Sequence, residues 1–431
     1  MSAAAPAVAK AGIITEPAVC SGWPSWFEAD RQKAWERFQA LPLPSRRDDL
    51  WRFANIKATD LSEFHEADPV KNPTALVSRS HGLSDPVAKL VFANDILIHS
   101  DTGNLPAGVH LLPLEQAAQD HGDLFRSHFM AGYFRLGSAK FAALHRARVR
   151  TGTFLHVPKG VVIDRPIEIW HWLEGTNAAV FPHTLIILGE GASATVIDRF
   201  VSTRDDRSLA CAVNDLRLAP GSRLSYVGVQ EWSDKTTAFH LNTTGVERDA
   251  VSTALQMNFG SSFIRGESDS RLLGEGARSV MLSVNPADGT REIDQRTFQD
   301  HQAPRATSDL LYHNALDGSS RTIFSGLIKV EEGAHQTDAY QKVRNLMLSD
   351  EAEANSMPGL EILADDVRCT HGATSGELNE EELFYMMARG IPPKQSAQLI
   401  VRGFFGSVLE RLDNPSLQDY LGAVLDAKLG L

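Results

Sequence analysis

Cysteine is scarce in this chain. Cys20, Cys211 and Cys369 are the only three in 431 residues, they are far apart, and no Cys-x-x-Cys pair occurs. A four-cysteine zinc or iron–sulfur site within one chain is therefore excluded. The odd, scattered count fits a reducing compartment. Positive charge is also in deficit: 42 Lys and Arg against 54 Asp and Glu give a formal net charge of -12. A nucleic-acid or anionic-membrane surface needs clustered Lys and Arg, so neither partner is expected. No apolar run approaches the roughly 20 residues that span a bilayer. The first twenty residues are rich in Ala with a single Lys. They lack both the apolar core of a secretory signal and the Arg richness of an organellar one, so a frayed tail and a cytoplasmic protein are expected. Catalytic signatures are missing too: there is no GxSxG, no HExxH and no phosphate loop. "GEGARS" at 274–279 lacks the trailing Lys-Ser/Thr that would hold a nucleotide.

What is present divides the chain into three. Residues 1–150 read as a helical or mixed unit. Ser25-Trp26-Phe27-Glu28 has the form of a capping box, and Phe27, Ala34, Trp35, Phe38 and Leu41 recur at helical spacing. Pro42 and Pro44 end that helix. "LVFANDILIHS" reads as a strand and "FRSHFMAGYFRLGSAKFAALHRARV" as mostly helical.

Residues 151–376 change character. Short strand-like runs (185–188, 224–230 and 322–330) alternate with turns such as "GEGASATV", "APGSRLSYV", "LDGSSRTIF" and "THGATSG". Gly191, Gly221, Asp249 and Gly276 are evenly stepped, whereas Gly318, Gly333 and Gly372 follow irregularly. Self-similarity near 30 residues with β-propensity favours a stacked β-solenoid over a β-sandwich.

Residues 377–431 return to helix. Asn379 caps a segment opened by three glutamates, and Arg389-Gly390-Ile391 has the composition of a Schellman ending. Leu399, Ile400, Phe404, Val408 and Leu412 mark a second helix. Asn414-Pro415 opens a third, with Leu417, Leu421, Val424 and Leu425 apolar.

A solenoid can be a polysaccharide-cleaving enzyme, so paired carboxylates matter. Asp365-Asp366 and Glu331-Glu332 are strand neighbours in this reading, and neighbours point to opposite faces. Cys369 and His371 differ, because positions i and i+2 share a face about 7 Å apart. Thiolate and imidazole can both reach one metal at about 2 Å, yet they make two ligands of a needed four. A small core cysteine beside a hydrogen-bonding histidine explains the pair equally well. If the site is real, another chain completes it. His156, His171 and His183 read as structural, while His301, His313 and His335 converge only if the rung period aligns them.

Three stretches carry a resemblance. "FLHVPKGVVIDRPIEI" (154–169), the run from "DQRTFQDHQAPRATSDLLYHNALDGSSRTIFSGLIKV" through "LEILADDVRCTHGATSGELNEEELFYMMARGI", and "RRDDLWRFANI" (46–56) are similar to the SufB/SufD family of iron–sulfur cluster assembly. Within the family the chain sides with SufD. It reads "AYQKVRN", without cysteine, where SufB carries one, and it has the Cys-x-His-Gly-Ala-Thr string.

The resemblance implies a right-handed parallel β-helix core flanked by N-terminal and C-terminal α-helical domains, in a non-enzymatic scaffold. It implies a SufB-like subunit paired through the β-helix and a SufC-like ABC ATPase docked on the C-terminal helices around Tyr385, Arg389 and Ile391. A transient iron–sulfur cluster shared with SufB would lie at His371 and, less directly, Cys369. No nucleotide would bind this chain, and the isolated chain can form a homodimer through the surface meant for SufB. The rival reading is a β-helix carbohydrate-active enzyme, and a blander one is a self-associating solenoid.

Overall fold

The computed structural model describes residues 16–132 and 134–431. Residues 1–15 of the expected tail lie outside that range. By residue 18 the chain is already packed: Ala18 is buried and its N–H donates to the Ala147 carbonyl.

The core is a parallel β-solenoid built from two facing sheets. One ladder climbs from Thr153–Val157 through His183–Leu188, Ser208–Leu218, Thr236–Val246, Phe263–Leu272, Glu292–His301 and Arg321–Val330 to Glu353–Ile362. The other climbs from Ala88–Ala93 through Ile167–Leu173, Ser193–Ser202, Arg223–Glu231, Val251–Asn258, Arg278–Ala287, Thr307–Leu316 and Asp338–Met347 to Arg368–Glu377. The chain alternates between ladders, so each rung contributes one strand to each. The strands predicted at 185–188, 224–230 and 322–330 fall inside this set.

One corner explains the repeat. Gly160, Gly191, Gly221, Asp249, Gly276, Arg305, Gln336 and Asp366 all adopt left-handed backbone with φ between 55° and 74°. The N–H of each of the first seven donates to a carbonyl in the corner of the next rung. The repeat therefore continues evenly to the last rung through Arg305, Gln336 and Asp366. Gly318 lies at a different corner, above Gly289. Gly372 is not a turn at all but lies within the Arg368–Glu377 strand. The carboxylate pairs are corner residues rather than strand neighbours, since Asp365-Asp366 and Glu331-Glu332 both fall between strands.

Alternate side chains point inward. Leu155, Ile169, Ile186, Val196, Leu216 and Tyr226 fill the early rungs, and Met281, Leu310, Tyr312, Phe324 and Val343 fill the later ones. A ladder of amides also runs along the axis. Asn258 donates to Asn285, Asn285 to Asn314, Asn314 to Asn345, and Asn345 to Ser375 of the last strand. Each bond joins one rung to the next.

Helices cover the outer faces. The helices Ser25–Ala40 and Ala139–Arg148 pack on the first sheet through Trp35, Phe38, Phe141 and Leu144 against Leu209, Cys211, Phe239 and Phe263. The expected capping box does not form: Pro24 is the N-cap, no side chain caps the helix, and Glu28 pairs with Arg31 instead. "LVFANDILIHS" is two antiparallel strands rather than one, because Asn94 and Asp95 both take positive φ and reverse the chain. Trp51 of the "RRDDLWRFANI" stretch is buried under Arg265, whose guanidinium lies 4.0 Å from the ring centroid and pairs with Glu267 and Asp294.

The helices Pro393–Leu409 and Pro415–Leu429 pack on the second sheet through Val401, Phe405, Val408, Leu409, Leu421 and Leu425. The buried stripe of the first of these is rotated from the predicted one, and Leu399 is exposed. Asn379 and Asn414 cap as predicted. The Schellman ending forms: the Gly390 N–H donates to Met387 and the Ile391 N–H to Met386, with Gly390 at φ 86°.

Candidate functional site

The solenoid has one open end. The strands Glu353–Ile362 and Arg368–Glu377 are the last in their sheets. The terminal strand pairs in register with its predecessor: Ala339 with Cys369, Gln341 with His371, Val343 with Ala373, and Asn345 with Ser375. Ala339, Gln341, Val343 and Asn345 are buried inward-facing residues. Cys369, His371, Ala373 and Ser375 therefore continue the interior columns, with no further rung above them among the described residues. The predicted sharing of one face by Cys369 and His371 follows from this register.

Their surroundings differ. Cys369 is half-buried and packs against Ile328, Val330, Ala334 and Ala339. Burial, with a smaller contribution from Asp338, pushes its thiol above the ordinary value. A protonated thiol is a poor metal ligand. His371 is exposed, so its ring nitrogens are open to an incoming group. Around it the terminal rung presents Leu360, Ile362 and Leu363 at 36%, 42% and 50% exposure. This apolar rim would ordinarily lie beneath another rung.

Among the described residues, no group of three His, Cys, Asp or Glu side chains stands in a metal-holding arrangement. The other histidines are held elsewhere. His171 is stacked between Phe92 and Phe200, with Nε2 3.2 Å from Asp198. His183 and His145 share a hydrogen bond of 3.0 Å in the buried layer under the N-terminal helices. His301 faces inward to Ser308, His313 faces outward to Phe404, and His335 sits in a corner beside the Asp365 carbonyl. These last three are not brought together.

The second predicted region begins three residues past the terminal strand. The Glu380–Ala388 helix buries none of its residues. Phe384, Tyr385 and Met387 are 72%, 60% and 41% exposed. Arg389 donates to the Tyr385 hydroxyl and lies 4.9 Å from its ring centroid, so the two side chains form one surface feature. Ile391 follows as the last residue of the Schellman turn. Sequence reasoning missed Gln341, Leu360 and Ile362. Their role in the open end depends on which rung is last and on its register with the rung below.

Comparison with known proteins gives the family of the chain as a whole. The model for the "SUF system FeS cluster assembly, SufBD core domain" matches residues 171–404, and that for the SufBD protein N-terminal region matches residues 15–169. The iron–sulfur cluster assembly protein SufD of Bacillus subtilis is 28% identical over 94% of this chain and 94% of its own length. SufD of Escherichia coli is 25% identical over 97% of this chain and 99% of its own. SufB of Bacillus subtilis is 26% identical over 91% of this chain and 87% of its own. With the core model covering more than half of its length and the N-terminal model most of the remainder, this chain belongs to the SufBD family of iron–sulfur cluster assembly proteins.

Proposed function

We propose that this chain is a SufD-type, non-catalytic scaffold subunit on which a nascent iron–sulfur cluster is assembled together with a SufB-like partner. The observation that carries the reading is the open terminal rung, where an exposed His371 sits on an interior-facing position inside an apolar rim. Neutral imidazole suits iron as a ligand. His371 supplies one donor, and the SufB-like subunit supplies the remaining ligands when its own solenoid meets this end. Cys369 is the weaker candidate, because it packs into the apolar cluster below and burial disfavours its thiolate.

The exposed Glu380–Ala388 helix, with Tyr385, Arg389 and Ile391, is the docking surface for a SufC-like ABC ATPase. Nucleotide hydrolysis belongs to that partner. The covalent connection from Glu377 to Glu380 is short, so movement of the docked ATPase reaches the terminal strand directly. The compartment is cytoplasmic in this reading, and no described helix is long and apolar enough to cross a membrane.

The test is His371→Ala in the reconstituted complex of the three subunits. Cluster assembly should fall while the subunits still co-elute. A normal cluster yield from that complex refutes the ligand role. The carbohydrate-cleaving alternative finds no support at Asp365-Asp366 or Glu331-Glu332, which lie in solvent-facing corners.

A further inference from the structure

We infer that Gln341 is a positioning residue for His371: its side-chain carbonyl accepts a hydrogen bond from one imidazole N–H and so leaves the other ring nitrogen free. The inference rests on the reading of His371 as a ligand but is read out independently of it.

Three observations carry it. Gln341 is the register partner of His371 on the adjacent strand, on the same inward face, at a spacing of about 4.8 Å. Gln341 is 1% exposed, and its Oε1 is buried without a hydrogen-bond partner. Its amide is held in one place: Nε2 donates to Thr297 Oγ1 at 3.4 Å, and the side chain fills the space that Gly326 leaves, where any Cβ would collide with Nε2. With the nitrogen committed to Thr297, the oxygen is the orphan acceptor.

Such an acceptor is costly to bury unpaired, which favours the imidazole rotamer that donates to it. A histidine that ligates a metal commonly donates its other nitrogen to an oxygen acceptor, and that bond fixes both tautomer and ring orientation. Val343 and Ile328 in the rung below and Leu360 in the last rung are apolar, and the nearby Asn345 amide is committed to Ser356 and Ser375.

The experiment is nitrogen NMR of the full-length chain labelled with ¹⁵N-histidine, with the His371 signal identified by its loss in His371→Ala. In the parent, His371 should hold one neutral tautomer. Gln341→Met keeps the length and removes the acceptor, and His371 should then populate both tautomers. Gln341→Glu keeps the acceptor and should retain the parent preference at neutral pH. An unchanged His371 tautomer in a folded Gln341→Met chain overturns the inference, as does loss of the preference in Gln341→Glu. The second variant decides the matter if the first fails to fold. Normal cluster assembly by His371→Ala would instead refute the ligand role and leave the tautomer result standing.

Discussion

His313 and Phe404 hold each other twice. Their rings stack with centroids 4.2 Å apart, and His313 Nδ1 donates to the Phe404 carbonyl at 2.9 Å. One residue lies on the outer face of the solenoid and the other on the Pro393–Leu409 helix, so the pair fastens the C-terminal helices to the core. Phe404→Ala should cost about 2 kcal/mol, from lost burial and the aromatic contact. Hydrogen exchange should show the loss in the helices Pro393–Leu409 and Pro415–Leu429, with the solenoid amides unchanged. Uniform acceleration throughout the chain would refute a local clamp.

Buried histidines make stability depend on pH in a definite direction. Burial pushes His145 down to about 3, with help from neighbouring His183, and pushes His240, His301 and His313 down to about 4. These groups stay neutral in the folded chain while the unfolded chain takes up protons below about 6.5. Folding stability is therefore lost as pH falls from about 6.5 toward 4. Asp95 and Glu292, both raised to about 6 mainly by burial, act in the opposite sense over part of the same window. Four histidines against two carboxyls leave a net loss. Thermal melts at pH 7.5, 5.5 and 4.5 should fall steadily, and His301→Gln should flatten the slope by removing a contribution of about 3 kcal/mol at the acid end. A flat profile in the parent chain would contradict this account.

The amide ladder should be felt along the axis. Asn314 is fully buried and bonded to both Asn285 and Asn345. Asn314→Leu strands an amide hydrogen on one side and a carbonyl on the other, at a cost of about 2–4 kcal/mol. Urea unfolding should show the midpoint falling by that equivalent. Asn345→Leu, one rung nearer the open end, should lower the midpoint too, because it removes both the acceptor of the Asn314 amide and the donor to the Ser375 hydroxyl.

Much of this fold is legible in the sequence, and the gaps have physical causes. The solenoid period shows wherever glycine fills the left-handed corner, as at Gly191, Gly221 and Gly276. It disappears where Arg305, Gln336 and Asp366 adopt the same backbone at a conformational cost met by the corner hydrogen bonds. The Schellman turn at Gly390 and the caps at Asn379 and Asn414 are local and are readable as written. The Ser25 capping box is equally local, yet Pro24 takes the cap position and moves Ser25 inside the helix. At the site, strand alternation alone puts Cys369 and His371 on one face. That Gln341 lies beneath His371, and that no rung covers either, depends on register across 30 residues, which periodicity of single strands does not encode.

The exposed helix gives a prediction that separates docking from folding. Phe384 and Tyr385 are mostly exposed, so Phe384→Ala and Tyr385→Ala should change stability by no more than about 0.5 kcal/mol. Either change should weaken binding of a SufC-like ATPase about tenfold or more, as truncation of an aromatic anchor does. Calorimetric titration with the purified ATPase tests this. Unchanged affinity in both variants would move the docking surface off this helix.

The open end should also govern self-association. Unpaired terminal strands with an apolar rim are a template for another sheet, and a single inward-facing charge blunts such an edge. Ile362 continues the interior column of His301 and Val330, so its side chain faces whatever covers the end. Ile362→Lys places an ammonium there while leaving the column below intact. If the SufB-like partner and a second copy of this chain use the same face, the variant should sediment as a monomer and also fail to capture the partner. Loss of only one association would show that the two use different surfaces. A variant that still forms both would show that the end of the solenoid is not the interface, and His371 would then lack the second chain its ligand role requires.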